Sequence, residues 1–291
     1  MPAPVKAYSG GQCPSLQVGT NTITSSGAQR QFILALPSGY DPSEQVPAAF
    51  LWHWLGGSAS DFLSIGSLQA VADKLRFIAV IPEKKGDVQF SWPATALESD
   101  GRLEEELTFF DDMLACVAKQ YNLNLNCVSS VGVSAGALWT DLLAWERSNY
   151  LASFISLSGG TGGGARAWGG AEHKLPALVV WGGETDNFIL NFQNLSLDLE
   201  QHLTADGHFI VECVHNCGHG VPPLEGPPGS NPIESFVEGV VRFAIEHPFW
   251  LTPGDSPWIE HGLPAGLPPF CAIGAGMATP RTGDCTGKVG I

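Results

Sequence analysis

Ser134, Asp186 and His219 are the residues whose types and order could do chemistry together. Ser134 lies in Gly132-Val133-Ser134-Ala135-Gly136, after the apolar run Cys127 to Val131 and before a helical pattern from Ala137 to Glu146. A strand, a sharp turn with a glycine at each end and then a helix holds a serine hydroxyl clear of the backbone at a helix N-terminus. Side chains larger than hydrogen at 132 and 136 would clash in such a bend. A serine hydroxyl is a weak nucleophile at neutral pH and needs a base within hydrogen-bond reach. In a sheet of this kind the acid and then the histidine follow later in the chain, each in a loop after a strand. The run Ala177 to Trp181 leads into Gly182-Gly183-Glu184-Thr185-Asp186-Asn187, and Phe209 to Val214 leads into His215-Asn216-Cys217-Gly218-His219-Gly220. Asp186 is the expected acid, against a surface turn residue or Glu184 in its place. His219 is the expected base, because flanking glycines let its loop bring the ring over the serine, whereas His215 lies too close to the strand end. A serine in an ordinary glycine turn is the plain alternative to all three assignments.

Acyl transfer through such a serine also needs donors for the tetrahedral oxyanion. The run Ala48 to Trp52 ends in His53-Trp54-Leu55-Gly56-Gly57-Ser58, and the expected backbone donors are Leu55 and Ala135, the residue after the nucleophile. A plain glycine-rich turn is the competing reading of that loop. Trp54, Trp92 and Trp181 are expected to line an aromatic cleft, or else to be half-buried core aromatics. No two histidines stand at helical i, i+4 spacing with acidic residues between them, so no metal site is assigned and no cofactor is expected.

The elements that must position these groups follow from periodicity. Arg30 to Ala35, Ala48 to Trp52, Phe77 to Ile81, Phe154 to Leu157, Ala177 to Trp181 and Phe209 to Val214 read as short strands. Helical spacing appears over Phe62 to Leu75, and again from Leu107 through Phe110, Leu114, Val117 and Tyr121. Asn231, Pro232 and Glu234 form a helix start, and His247-Pro248 ends that helix. Strands alternating with helices predict an α/β fold with a mostly parallel central sheet and helices on both faces. Residues 1–247 read as the catalytic domain. Residues 248–291 are rich in proline and glycine without periodicity, and read as an ordered tail docked on the same domain through Trp250, Trp258 and Phe270.

Composition narrows the function. The 291-residue chain is 44% hydrophobic and 15% charged, the balance of a compact globular protein. A formal charge of -15 argues against nucleic acid as partner, and no apolar run approaches a membrane span. Seven cysteines without a Cys-x-x-Cys pair suggest disulfides and an oxidising compartment. The expected pairs are Cys116–Cys127 and Cys271–Cys285, and the odd count leaves a thiol over. Met1-Pro2-Ala3-Pro4 lacks the pattern of a signal peptide, so the expectation is a secreted monomer whose signal has been removed.

Together these residues resemble the α/β-hydrolase fold, and more narrowly the secreted esterases grouped with polyhydroxybutyrate depolymerases and feruloyl esterases of carbohydrate esterase family 1 type. The resemblance runs from about Arg30 to Phe243. It rests on R-Q-F-I-L-A-L-P-S-G-Y-D-P at 30–42, F-F-D-D-M-L-A-C at 109–116, G-V-S-A-G at 132–136 and C-G-H-G-V-P at 217–222. It implies Ser134 as nucleophile, Asp186 as orienting acid and His219 as base, acting on a polymeric or polymer-derived ester. The acyl group would be a hydroxycinnamate on plant polysaccharide, or the repeating unit of a polyester. The chain departs from the group where His53-Trp54 replaces His-Gly and where Trp181 stands at a frequent histidine position. A non-catalytic hydrolase-fold binding protein would show a broken set of catalytic residues. A lidded lipase would show an apolar helix between 157 and 177, where Gly159 to Gly170 is glycine-rich and polar instead.

Overall fold

The computed structural model describes residues 1–65, 67–224, 229 and 231–290. Its strands are β1 (Gly19–Ser25), β2 (Ala28–Ala35), β3 (Val46–Trp52), β4 (Ile78–Pro82), β5 (Leu123–Val133), β6 (Ser153–Leu157), β7 (Ala177–Trp181), β8 (Asn187–Phe188), β9 (Leu190–Asn191), β10 (Ile210–Val214), β11 (Gly220–Val221), β12 (Cys271–Ile273) and β13 (Val289–Gly290). The helices are α1 (Ala59–Ile65), α2 (Leu68–Leu75), α3 (Asp100–Gln120), α4 (Ala135–Glu146), α5 (Phe192–Asp206), α6 (Pro232–Glu246) and α7 (Pro257–His261).

Nine strands form one sheet in the order β1-β2-β4-β3-β5-β6-β7-β10-β12. From β4 to β10 every pairing is parallel, while β1, β2 and β12 run antiparallel to their neighbours. The central strands are buried on both faces, which is why they read as continuous apolar runs. Alternation along β3 divides its side chains between two cores. Phe50 and Trp52 pack with α3, α4 and α5, while Ala49 and Leu51 pack with α1, α2 and α6.

The helix expected over Phe62 to Leu75 is two helices, α1 and α2. Ser67 ends the continuity because its backbone is left-handed, at φ 49°. The tail is part of the sheet: β12 pairs with β10, and Trp258 and Phe270 are buried in the core. Trp250 does not dock there, being 65% exposed.

The expected disulfides need correcting. The bridges are Cys13–Cys116, Cys213–Cys271 and Cys217–Cys285, and Cys127 is free and buried. Cys116 on α3 meets the N-terminal segment, which also reaches that helix through Ser9 to Asp112 and Lys6 to Asp111. Cys213 and Cys271 stand opposite each other in the β10–β12 register. Nearness along the chain misled in both expected pairs. Among the described residues no helix is long and apolar enough to cross a membrane, and no three His, Cys, Asp or Glu side chains are grouped to hold a metal.

Candidate active site

The bend at Ser134 is built by close backbone approach. A Cβ on Gly132 would lie 2.0 Å from Gly136 O, and one on Gly136 would lie 2.0 Å from Trp52 O. Only hydrogen fits at either position. Ser134 takes φ 55° and ψ -118° between β5 and α4, a strained conformation for a residue with a side chain. Its amide is fixed by donation to Leu157 O at 2.8 Å. The hydroxyl is thereby held at the start of α4, where the aligned peptide dipoles favour developing negative charge.

Ser134, His219 and Asp186, from three separate loops at the carboxyl ends of parallel strands, meet in one chain of hydrogen bonds. Ser134 Oγ lies 2.7 Å from His219 Nε2, and His219 Nδ1 lies 2.7 Å from Asp186 Oδ1. An imidazole nitrogen facing a carboxylate carries the proton, so Nδ1–H donates to Asp186 and Nε2 is left to accept from the Ser134 hydroxyl. The second carboxylate oxygen of Asp186 accepts from Gly182 N at 2.7 Å and from Ser158 Oγ at 2.9 Å. The carboxylate is fully buried, so these donors replace the water it lacks. Phe192 stacks on the His219 ring at 4.2 Å between centroids, and Phe188 stacks at 5.7 Å.

Ser158 was not foreseen. It directly follows β6 and has φ 53°. The next turn is fastened by Asp141 of α4, whose Oδ2 accepts from Gly160 N at 2.6 Å and Ser156 Oγ at 2.9 Å. Complete burial pushes the Asp141 carboxyl up to about 8, against those hydrogen bonds. The available signal was position alone, a polar residue just past a strand end on the edge where the other loops converge. Glu184, the alternative acid, lies in the same loop, but among the described residues the carboxylate hydrogen-bonded to His219 is that of Asp186. His215, the alternative base, is buried, and its Nδ1 accepts from Cys217 N at 3.2 Å. Burial holds it down at about 4, which keeps it neutral.

The loop after β3 is pinned from the end of β4. Lys84 Nζ donates to Gly57 O at 2.6 Å, Glu83 Oε2 accepts from Ala59 N at 2.9 Å, and His53 Nε2 faces Glu83 at 3.5 Å. Partial burial pushes the Glu83 carboxyl upward, but the facing His53 ring, the Ala59 amide and Lys84 outweigh it and bring it to about 2. The Leu55 and Ala135 amides have no protein acceptor among the described residues.

Two of the expected cleft tryptophans are core residues. Trp92 is fully buried, packs edge-on against Trp52 at 5.0 Å, and donates from Nε1 to His53 O at 2.8 Å. Trp181 is buried and donates to Glu200 Oε1 at 3.1 Å, beside a carboxyl that burial and then Glu212 push up to about 8. Each indole satisfies its N–H inside the protein, which is why neither needs the surface. Trp54 differs. It lines a cavity of about 90 Å³ with Phe62, Val133, Val221, Phe236 and Val289 among its walls.

Such a sheet, with a serine on a glycine-bounded bend after its fifth strand, defines an α/β-hydrolase. No family model matches the sequence. The chain is 26% identical to Probable feruloyl esterase C of Aspergillus terreus over 225 residues, covering 72% of this chain and 78% of that one. It is 25% identical to Feruloyl esterase C of Emericella nidulans, with the same coverage. Among solved structures, native pOPH superposes with a TM-score of 0.72 at 18% identity, over 92% of this chain and 99% of that one. A CE1 ferulic acid esterase from Anaeromyces mucronatus superposes with a TM-score of 0.54 at 16% identity, over 72% and 87%. The chain is a carboxylic ester hydrolase of the α/β-hydrolase fold, resembling the polyhydroxybutyrate depolymerase and feruloyl esterase group.

Proposed function

We propose that the protein is a secreted serine esterase that cleaves hydroxycinnamate esters of plant polysaccharide through Ser134, His219 and Asp186. The observation that carries the mechanism is the unbroken chain of two 2.7 Å contacts from Ser134 Oγ to Asp186. Ser134 attacks the ester carbonyl as its proton passes to His219 Nε2. Asp186 holds the ring in the required tautomer and balances the imidazolium. The amides of Leu55 and Ala135 receive the oxyanion. His219 then returns the proton to the departing alcohol, and water releases the acyl group by the same steps in reverse. Feruloyl esterases among the relatives support the acyl class. Three disulfides support an extracellular setting.

A second reading, an esterase for aliphatic or polyester acyl groups, is favoured by the cavity that Trp54 lines. Val133 adjoins Ser134, Val221 follows His219 by two residues, and the described lining is wholly apolar. A phenolic hydroxyl placed there would lose its water without a partner, at a cost of roughly 1–3 kcal/mol. A rate panel of methyl ferulate, short nitrophenyl esters, polyhydroxybutyrate and an aromatic polyester separates the readings. Methyl ferulate is expected to be hydrolysed fastest; preference for an aliphatic ester would move the assignment to the second reading. Ser134→Ala should lower every rate by about 10⁴-fold or more. Retained hydrolysis in that variant removes the serine mechanism.

A further inference from the structure

Residues 281–290 contribute nothing to either hydrophobic core, and most of them are exposed. Val289 also walls the cavity beside Trp54, but the hydrogen bonds and the bridge of the segment converge on one place. Arg281 N donates to Val214 O at 3.0 Å, and Arg281 Nη1 donates to Asn216 Oδ1 at 2.9 Å. Asn216 Nδ2 donates back to Gly283 O at 2.9 Å. Cys285 is bridged to Cys217, and Lys288 Nζ donates to Cys217 O at 2.9 Å. Val289 and Gly290 then pair with Val221 and Gly220. Among the described residues, every hydrogen bond and bridge that leaves this segment ends between Val214 and Val221.

That target is the loop carrying His219. Its inner side is held by the loop of the acid: Gly218 N donates to Gly182 O at 3.1 Å, and a Cβ on Gly182 would lie 2.1 Å from Gly218 O. Among the described residues, the terminal segment meets the loop at Val214, Asn216, Cys217, Gly220 and Val221. The histidine itself stands between Gly218, at φ 69°, and Gly220, two residues that give the loop little stiffness of its own. A clamp on both flanks of His219, through Cys217 before it and Gly220-Val221 after it, removes that freedom.

We propose that the segment Arg281–Gly290 is a strap that positions the general base: it contributes to catalysis by fixing the His219 loop, in addition to the stability its disulfide gives the fold. This rests on the reading of His219 as base. A misplacement of about 1 Å in a reacting group can cost roughly 100-fold in rate. Lys288 and Cys285 are therefore positioning residues, acting through the backbone of residues 217–221.

The test compares the full-length wild type with Lys288→Met, with the double variant Cys217→Ser/Cys285→Ser, and with Ser134→Ala, using a nitrophenyl ester. The double variant should lose 10-fold or more in kcat, and Lys288→Met should lose several-fold. KM should stay close to that of the wild type in both variants, and so should the melting temperature of Lys288→Met. The double variant, freed of a cross-link spanning 68 residues, should melt lower, so its kcat is taken per folded molecule at a temperature well below its melt. In the double variant the downfield proton resonance of the His219 Nδ1–H to Asp186 hydrogen bond should broaden or vanish by NMR. An unchanged kcat and an unchanged resonance in both strap variants overturn the proposal. So does a kcat that falls only in proportion to lost folded protein in both. If Ser134→Ala keeps its activity, the site assignment fails instead, which separates the two outcomes.

Discussion

Asp186 shows how much a single side chain depends on its donors. One oxygen faces the histidine, and the other is occupied by Gly182 N and Ser158 Oγ. An amide in its place would present an N–H to one of those three donors, or turn the imidazole to the wrong tautomer. Asp186→Asn is therefore expected to lower kcat by about 10⁴-fold with the fold retained, measured by ester hydrolysis beside a thermal melt. A loss under 10-fold would mean that another group orients the ring. At this scale the sequence was legible wherever chemistry and strand order coincide: a serine, an acid and a histidine each sit one loop past a strand. Ser158 was not, because one serine among many carries no signal until the strand end beside Asp186 is known. Trp92 and Trp181 misled for a related reason. Composition says that an indole is large and amphipathic, but not that an internal acceptor such as His53 O or Glu200 waits for its N–H.

Elements were legible where both faces or one face gave a clean period. The buried run Ala177–Trp181 coincides with β7, and Asn231 caps α6 by accepting from Ile233 N and Glu234 N. Strand β1 was missed because Thr20, Thr22 and Thr24 alternate with only one strongly apolar residue, Ile23, on a sheet edge. The junction of β5 and α4 yields a sharp prediction. Gly136→Ala should give little or no soluble folded protein, judged by yield and circular dichroism, because the added methyl meets the rigid backbone at Trp52. A folded, active Gly136→Ala protein would contradict the geometry. The end of α6 yields another. His247 donates from Nδ1 to Phe243 O at 2.8 Å and accepts from Ser256 Oγ at 2.7 Å, enclosed by Phe209, Phe243 and Trp258. Burial holds it down at about 4. Its neutral form is the one the fold favours, so the stability it contributes is complete above about 6.5 and is lost as pH falls towards 4. Its ring should titrate near 4 by NMR, and His247→Gln should lose this part of the pH dependence. A midpoint near 6.5 would contradict the enclosure.

The whole molecule is tied at three points that the linear chain conceals. Spacing cannot reveal that Cys13 crosses 103 residues to reach Cys116, or that Cys271 stands opposite Cys213 in a sheet register. Closing a loop of that length restricts the unfolded chain. Replacing Cys13 and Cys116 with serine should therefore destabilise the protein by about 2–4 kcal/mol, read from denaturant midpoints. A midpoint within error of the wild type would place the N-terminal segment outside the cooperative fold.

Cys127 is left as the single thiol, enclosed at the start of the strand that leads to Ser134 and pushed up to about 11 by that enclosure. A folded molecule thus hides its only free thiol. The rate at which iodoacetamide consumes it counts how often the central sheet opens, giving the protein a native clock for its rarest excursions with no dye or engineered probe.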